Sequence, residues 1–583
     1  MAYNKYKDEI PSKTIENIKN IYNDLQIEYR ITTASKVSGI YSAVFKDLHA
    51  NWCTCGKGTN DEFCIASAMG ESIEHLCNRF AYDMTSISAE AEKHLNFTIY
   101  PDEKIYPVEK IKDLCPFVLE DLKDAYISSL SSIPDDTIFD FLRNFFKKDK
   151  FCFVPYYSVR YKKSVLLPEE ILSNLCGSNG GGAGNTAAEA IGHGLDEITE
   201  RYVKYEILKN RLTPPTIPQE YIKHISLDLF EVIKNIEKSG KYKVIVKDAS
   251  LGKKLPVICV LLIDYKNNRY LSNFGSHPII EIALERCLTE MFQYYELSAV
   301  DVGRKEMSKW CTVDDNIINS SKNWCSLLKD DVGYLPDSIF AGTPSWKFVE
   351  WDFYDNYCNK KGLDIQISNI LRLTSDIFIR NNSFLGFPVY KIYVPKISCN
   401  HMPIGEKHLR CLDLCKTLYQ KIGESKKLSV CDLNTYRDYV FNPEMFISSI
   451  VLHNMEESFL YALYAALSLD LGEQDEAKKV LSFLYDKKYE CVKKALNLKE
   501  NGTPIETINE LLHLFYDDAA ADFALLWCGK QVFLTLMNRY VINRYSASSV
   551  GKTSAETSLL HMHLKEKMAS ANIHQDDTND IIR

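Results

Sequence analysis

The segment Gly177-Ser178-Asn179-Gly180-Gly181-Gly182-Ala183-Gly184-Asn185-Thr186 constrains the fold of this chain more than any other. Glycines so closely spaced form neither a stable helix nor a stable strand, because each loses more conformational freedom on ordering than any other residue. They make a loop whose backbone can approach a neighbour closely. A helix is expected directly after it, from about Thr186 to Leu208. A glycine loop opening a helix brings backbone N–H groups to a helix N-terminus, where an anion is favoured. Gly184 is followed by Asn185-Thr186 and by no lysine, so this is not a Walker P-loop.

Two helices then attract attention for their acids. The expected helix after the loop carries Asp196-Glu197-Ile198-Thr199-Glu200-Arg201-Tyr202, and a long helix expected over Asp61–Phe80 carries SAMGESIEH at 67–75. Each sets two glutamates three residues apart, Glu71 with Glu74 and Glu197 with Glu200. Residues three apart share a helix face, so both carboxylates of a pair reach one point. Alone they repel; a hard cation such as Mg²⁺, which takes carboxylate oxygens together with water and substrate phosphates, relieves the repulsion. Such pairs also decorate solvated helix faces, and either one by itself reads as surface. Gly56-Lys57-Gly58 precedes the first pair, and a third amphipathic helix, expected over 278–296, carries Glu285, Arg286, Glu290 and Gln293.

The rest of the chain sets the frame. Its 583 residues exceed one ordinary core and suggest two to four domains. Apolar residues at 46% and charged residues at 25% fit a soluble globular protein, and a net charge of −9 argues against non-specific nucleic-acid binding. No apolar run approaches the ~20 residues of a membrane helix, and residues 1–30 show no signal-peptide pattern, so a cytoplasmic protein is expected. Eighteen cysteines without a CxxC pair, several in apolar runs (Cys259, Cys287, Cys528), read as reduced core residues.

Strands are expected at 38–55, 151–161, 242–249, 255–265, 268–274 and 386–394, interleaved with helices that include 11–27. This gives an α/β (α+β) domain over residues 1–430. Beyond 430 no strong strand pattern occurs. Ser458–Leu471 and Asp475–Leu484, separated by Gly472, repeat a helix–turn–helix plan with alanines at close-packing positions. An all-α, tetratricopeptide-like domain is therefore expected over 431–583, ending in a frayed tail from about residue 571.

Taken in order, GKG, SxxxExxE, SNGxxAGNTxxEAxxxGxxExxERY and ALERxxTExxQ resemble the YcaO family, over about residues 1–430 and most sharply at 178–202. DASLGKKLPVICVLL (248–262) and NFGSHP (273–278) extend the likeness to bacterial members with a tetratricopeptide-like C-terminal domain. The resemblance implies an ATP site with Mg²⁺ lined by acidic helices. It implies Glu71, Glu74, Glu197 and Glu200 as metal ligands. It places Lys7, Ser67, Glu71, Glu189, His193 and Arg201 at the nucleotide, together with Lys57, Arg286, Glu290 and Gln293.

Family chemistry is ATP-dependent activation of a backbone amide in a protein or peptide: a nucleophile adds to the carbonyl, the resulting oxygen is phosphorylated, and phosphate leaves. The chain lacks the proline-rich ending of azoline-forming members. The resemblance thus leans to an accessory factor for β-methylthiolation of the twelfth small-subunit ribosomal protein, working beside a separate radical methylthiotransferase, and to a homodimer. Peptide natural-product cyclodehydration or thioamide formation is the alternative, and a catalytically inactive protein-binding scaffold is another. Three positions depart from the family pattern: His75 replaces an arginine, Gly182 a serine and His193 a glutamine.

Overall fold

The computed structural model describes residues 6–80 apart from 38 and 49–51, 99–292 apart from 127–133 and 147, 308–309, 333–399 apart from 352–356, 468–529 apart from 471, 483 and 485, 532–536, 555–582 apart from 572, and the isolated positions 323, 327, 462, 465 and 466. Three antiparallel sheets and the helices laid on them build the first part. Helix α1 (Pro11–Asp24) starts on a proline, whose missing N–H is no loss in a first turn. Its buried Ile18 and Tyr22 cover a meander of β1 (Tyr29–Val37), β2 (Ile40–Asp47) and β3 (Cys53–Gly58). Helix α2 (Asp61–Cys77) packs on β2 and β3.

The second sheet has the order β4-β5-β12-β13-β7, with β6 paired to β5. Its strands are β4 (Lys104–Pro107), β5 (Lys150–Ser158), β6 (Lys163–Pro168), β7 (Gly181–Ala183), β12 (Phe378–Asn381) and β13 (Val389–Tyr393). The glycine segment, expected as a loop, is corrected over Gly181–Ala183 to a short edge strand: β7 pairs antiparallel with β13 through Ala183↔Val389, and the neighbouring strand supplies the ladder that glycine's own preference does not.

The third sheet is β11-β10-β9-β8, built from β8 (Tyr242–Asp248), β9 (Val257–Asp264), β10 (Arg269–Ser276) and β11 (Ser308–Lys309). The run VICVLLID forms β9, paired on both sides and buried almost throughout, as expected for a central strand covered on both faces.

Helix α3 (Ala187–Lys209) spans the two larger sheets, touching β7 and β13 at one end and β9 and β10 along its length. Helix α4 (Ile280–Met291) lies on β9 and β10, and helix α5 (Asn359–Ile370) packs along α3. The acidic helices α2 and α3 and the Arg286-bearing α4 therefore meet where the three sheets adjoin.

Beyond residue 468 the described residues are helical, at Gln474–Ser482, Lys487–Glu500, Ile505–Phe515, Asp518–Leu526 and Val532–Leu536, around a core of their own that includes Tyr489, Phe523 and Trp527. Most of the expected helix Ser458–Leu471 lies outside the described residues, as does the expected boundary at 430. The second expected helix, Asp475–Leu484, is present as Gln474–Ser482.

The expected frayed tail is corrected. Helix α6 (Ala555–Ser570) sends Leu564 and Met568 into the core of the first part. Gln575 accepts from the Asn381 backbone N–H at 2.6 Å and donates to the Asn381 carbonyl at 3.1 Å. Tyr157 donates to Asn579 at 2.6 Å, and Thr578 is fully buried. Polar composition suggested solvent here, but these polar side chains satisfy backbone and side-chain groups far away in the chain, a match no local pattern reveals.

Candidate functional site

Lys57 stands on β3, where alternation turns it to the side facing α4, and it forms an ion pair with Glu290. On α2, Ser67 and Glu71 are one turn apart and Glu74 follows, so all three project from one side. Asn60 caps this helix by accepting from the Phe63 N–H at 2.9 Å, which fixes where its turns fall.

Three of the four paired carboxylates, Glu71, Glu74 and Glu197, come together. Glu74 accepts from the Ala183 N–H of the glycine segment and lies within electrostatic reach of Glu197, Glu71 and Arg201. One Glu74 oxygen is 2.5 Å from where a Cβ on Gly181 would stand, so a side chain there would push the carboxylate from its place. Burial, and then Glu197 and Glu71, push the Glu74 carboxyl well above its ordinary range. Glu71 is raised to about 7, chiefly by burial; Lys57 opposes, while Glu290 and Glu197 add to the rise. Acids that resist ionisation beside one another in this way ionise readily once a cation lies between them.

Glu197 forms an ion pair with Arg201 at 2.7 Å, one turn along α3. Glu200 sits on the same helix within electrostatic reach of Cys287 on α4, as do Glu290 and Lys57. Among the described residues no three His, Cys, Asp or Glu side chains gather tightly enough to enclose a metal by themselves. The acids instead form spaced pairs. Paired carboxylates whose remaining positions are filled by phosphate oxygens and water suit Mg²⁺, which is seldom held in an all-protein cage.

At the N-terminus of α3, Thr186 accepts from the Glu189 N–H at 3.2 Å. Glu189 in turn accepts from Lys7 at 2.8 Å and from the Asn185 N–H at 3.3 Å. Burial alone would raise the Glu189 carboxyl, but Lys7 and Asn185 outweigh it and hold it low. Lys7, 45% exposed, is thereby tied to the opening of the helix despite lying 182 residues away. His193, one turn on, donates to the Ala183 carbonyl. Burial, then Arg286, Lys7 and Lys57, keep it neutral.

The structure thus brings Lys7, Lys57, Ser67, Glu71, Glu74, Glu189, His193, Glu197, Glu200, Arg201, Arg286 and Glu290 onto the adjoining helices α2, α3 and α4 and the strand and N-terminal segment beside them. Gln293 lies outside the described residues.

Two departures from the family pattern acquire physical reasons. A Cβ at Gly182 would fall 2.1 Å from the Ala190 carbonyl oxygen, so this chain's loop lies too close to α3 for serine. His75 packs between Trp52 and Phe80 and burial lowers it to about 4, so it brings no positive charge where an arginine would.

Several residues here were given no role by the sequence. Asp196 is 3% exposed and accepts from Gln366 at 2.6 Å, Ser276 at 3.3 Å and Arg286 at 3.3 Å. Gln366 lies on α5, outside every motif. His277 and Tyr357 form a further wall, 3.4 Å apart between ring nitrogen and hydroxyl, with Tyr6 edge-on to Tyr357.

Known proteins give the family. The family model for YcaO cyclodehydratases, ATP- and Mg²⁺-binding, matches residues 55–398, more than half of the chain. An uncharacterised protein of Haemophilus influenzae is 30% identical over 324 residues, 54% of this chain and 53% of the relative. The ribosomal protein S12 methylthiotransferase accessory factor YcaO of Escherichia coli is 29% identical over 395 residues, 67% of this chain and 65% of the relative. The matched regions thus span between about half and two thirds of these relatives. A YcaO structure from Methanopyrus kandleri bound with AMPPCP and Mg²⁺ aligns at a TM-score of 0.42 and 16% identity, over 67% of this chain and 92% of that one. With its acidic helices and glycine segment inside the matched residues, this chain belongs to the YcaO family, whose domain binds ATP and Mg²⁺.

Proposed function

We propose that this protein uses ATP and Mg²⁺ to activate a backbone amide of a protein or peptide by phosphorylation. The observation that carries the reading is the approach of Glu71 and Glu74 on α2 to Glu197 on α3, beside the glycine segment whose Ala183 N–H bonds Glu74. Glu71, Glu74, Glu197 and Glu200 would hold Mg²⁺, and bound Mg²⁺–ATP supplies the phosphoryl group and neutralises the charge that develops as it moves.

Arg201 and Arg286 flank the carboxylates as fixed cations for phosphate oxygens. Lys57 and Glu290 hold each other, which sets the Lys57 charge beside the same pairs. Lys7, Glu189 and His193 stand at the first turns of α3, Ser67 lies one turn before Glu71 on α2, and Gln293 follows Arg286 and Glu290 in sequence. The chain's own part is to fix these charges before substrate arrives, since amide oxygen leaves poorly and needs a well-placed phosphoryl donor.

The E. coli relative's name favours a role as accessory factor in methylthiolation of a ribosomal protein, with a methylthiotransferase as partner. The family model's description favours cyclodehydration of a peptide. The helical unit beyond residue 468 is proposed as a tetratricopeptide-like surface for the protein partner, and a cytoplasmic homodimer as the working form. A nucleotide-binding scaffold without turnover is a second reading, favoured by the uncharged His75.

Titration calorimetry with Mg²⁺ and a non-hydrolysable ATP analogue tests the core of this. Glu197→Gln and Glu200→Gln should each weaken binding at least about tenfold. Normal binding by both would remove the site. Phosphate release from ATP in the presence of the peptide or protein substrate separates an enzyme from a scaffold.

A further inference from the structure

Asp196 has no place among the metal ligands or the nucleotide contacts. It immediately precedes Glu197 on α3, so its side chain is turned about 100° away from that glutamate, to a different side of the helix. There it is buried, and its two oxygens accept from three elements at once: Ser276 at the end of β10, Gln366 on α5 and Arg286 on α4. Burying a carboxylate is costly, and an apolar side chain of similar volume often serves stability as well or better. What an apolar residue cannot do is hold a guanidinium by one edge.

We propose that Asp196 is a positioning residue that acts through Arg286: by holding Nη1 at 3.3 Å it fixes the plane and direction in which Arg286 meets the nucleotide's phosphates. This rests on the nucleotide reading above. Arg286 lies one turn before Glu290, which is paired with Lys57. The brace from Asp196 to Arg286 therefore ties the α3 carboxylates to the α4 cation and acid at a set spacing. Ser276 and Gln366 keep the Asp196 carboxylate from rotating, the second of them from a helix that packs along α3. An arginine whose planar fork is anchored before the ligand arrives loses less freedom on binding it. Three donors from three elements converging on one acid, next to a metal-ligand position, is the arrangement expected of such an anchor.

The test is a double-mutant cycle read by calorimetry with Mg²⁺ and a non-hydrolysable ATP analogue, and with AMP as the ligand lacking the outer phosphates. Asp196→Asn should weaken the triphosphate analogue about tenfold and AMP far less. Arg286→Met should weaken it at least as much, and Asp196→Asn should add nothing further in the Arg286→Met background. Additive losses, or equal losses for AMP and the analogue, would overturn the proposal and leave Asp196 a structural residue. Should Asp196→Asn fail to fold, Gln366→Met removes the shortest bond to Asp196 and keeps its carboxyl group. It should weaken the analogue about threefold in the wild-type background and not at all in the Arg286→Met background, and equal effects in both would overturn the proposal. A folded wild type that binds neither ligand would refute the nucleotide reading itself, and the brace with it. A wild type that binds while the cycle is additive refutes the brace alone.

Discussion

At Glu285 on α4 a carboxyl oxygen is buried without a hydrogen-bond partner among the described residues. Burial, and then Glu281, raise this acid to about 8, with Lys7 opposing. In the unfolded chain a glutamate titrates near 4.3. The native state therefore holds the proton more tightly, and the stability this represents is complete below about pH 4 and lost as pH rises to about 8. Glu285→Gln should match the wild type near pH 4 and exceed it by roughly 1–3 kcal/mol at pH 8 in urea titrations. Equal stability at pH 8 would mean the carboxylate finds a partner on ionising. Residue types were legible in the sequence wherever spacing spoke for them, as with Glu71, Glu74, Glu197 and Glu200. Asp196 and Gln366 were not, because the bond between them joins positions 170 residues apart. Gly182 could be seen to depart from a pattern, but the reason is the Ala190 carbonyl beside it.

Among the elements, α3 is the one on which most depends, and its start is set by Thr186. This side chain accepts from the Glu189 N–H and donates to Asp8, so one hydroxyl caps the helix and joins it to the N-terminal segment. Thr186→Ala should cost about 1 kcal/mol of stability, with Thr186→Ser largely sparing it, as followed by denaturant unfolding. A Thr186→Ala protein as stable as the wild type would show that Asp8 and Lys7 hold the segment without the cap. The pattern expected from the sequence, a helix from about Thr186 to Leu208, lies within a residue or two of Ala187–Lys209. Helix α2 ends at Cys77, three residues before the expected Phe80, where Arg79 takes a positive φ of 64°. Strand Tyr29–Val37 had no clear alternation and emerges only by pairing with β2.

On the scale of the whole molecule, the described C-terminal residues do not form one separate body. The helical unit beyond 468 has its own core, while Leu564, Met568 and the segment Gln575–Ile582 belong to the first part. Gln575→Leu removes both bonds to the Asn381 backbone and should cost roughly 1–3 kcal/mol, because a partly buried N–H and C=O lose these partners. Thermal unfolding checks it; an unchanged transition would show that the segment is carried by Thr578 and Asn579 instead. Among the described residues no helix is long and apolar enough to cross a membrane.

The sequence by itself determined the periodicities and punctuation of this protein. VICVLLID had to be a covered strand and glutamates three apart on a helix a pair, because these follow from the geometry of a few neighbouring residues; the run of glycines, expected as a loop, becomes in part the edge strand β7 only because β13 lies beside it. Only the tertiary structure decided which pairs face each other, that Lys57 reaches Glu290 and Lys7 reaches Glu189, and that the C-terminal segment returns to the first part. Those contacts depend on how sheets and helices from distant stretches pack to exclude water, and packing is a property of the whole chain, carried by no local window of it.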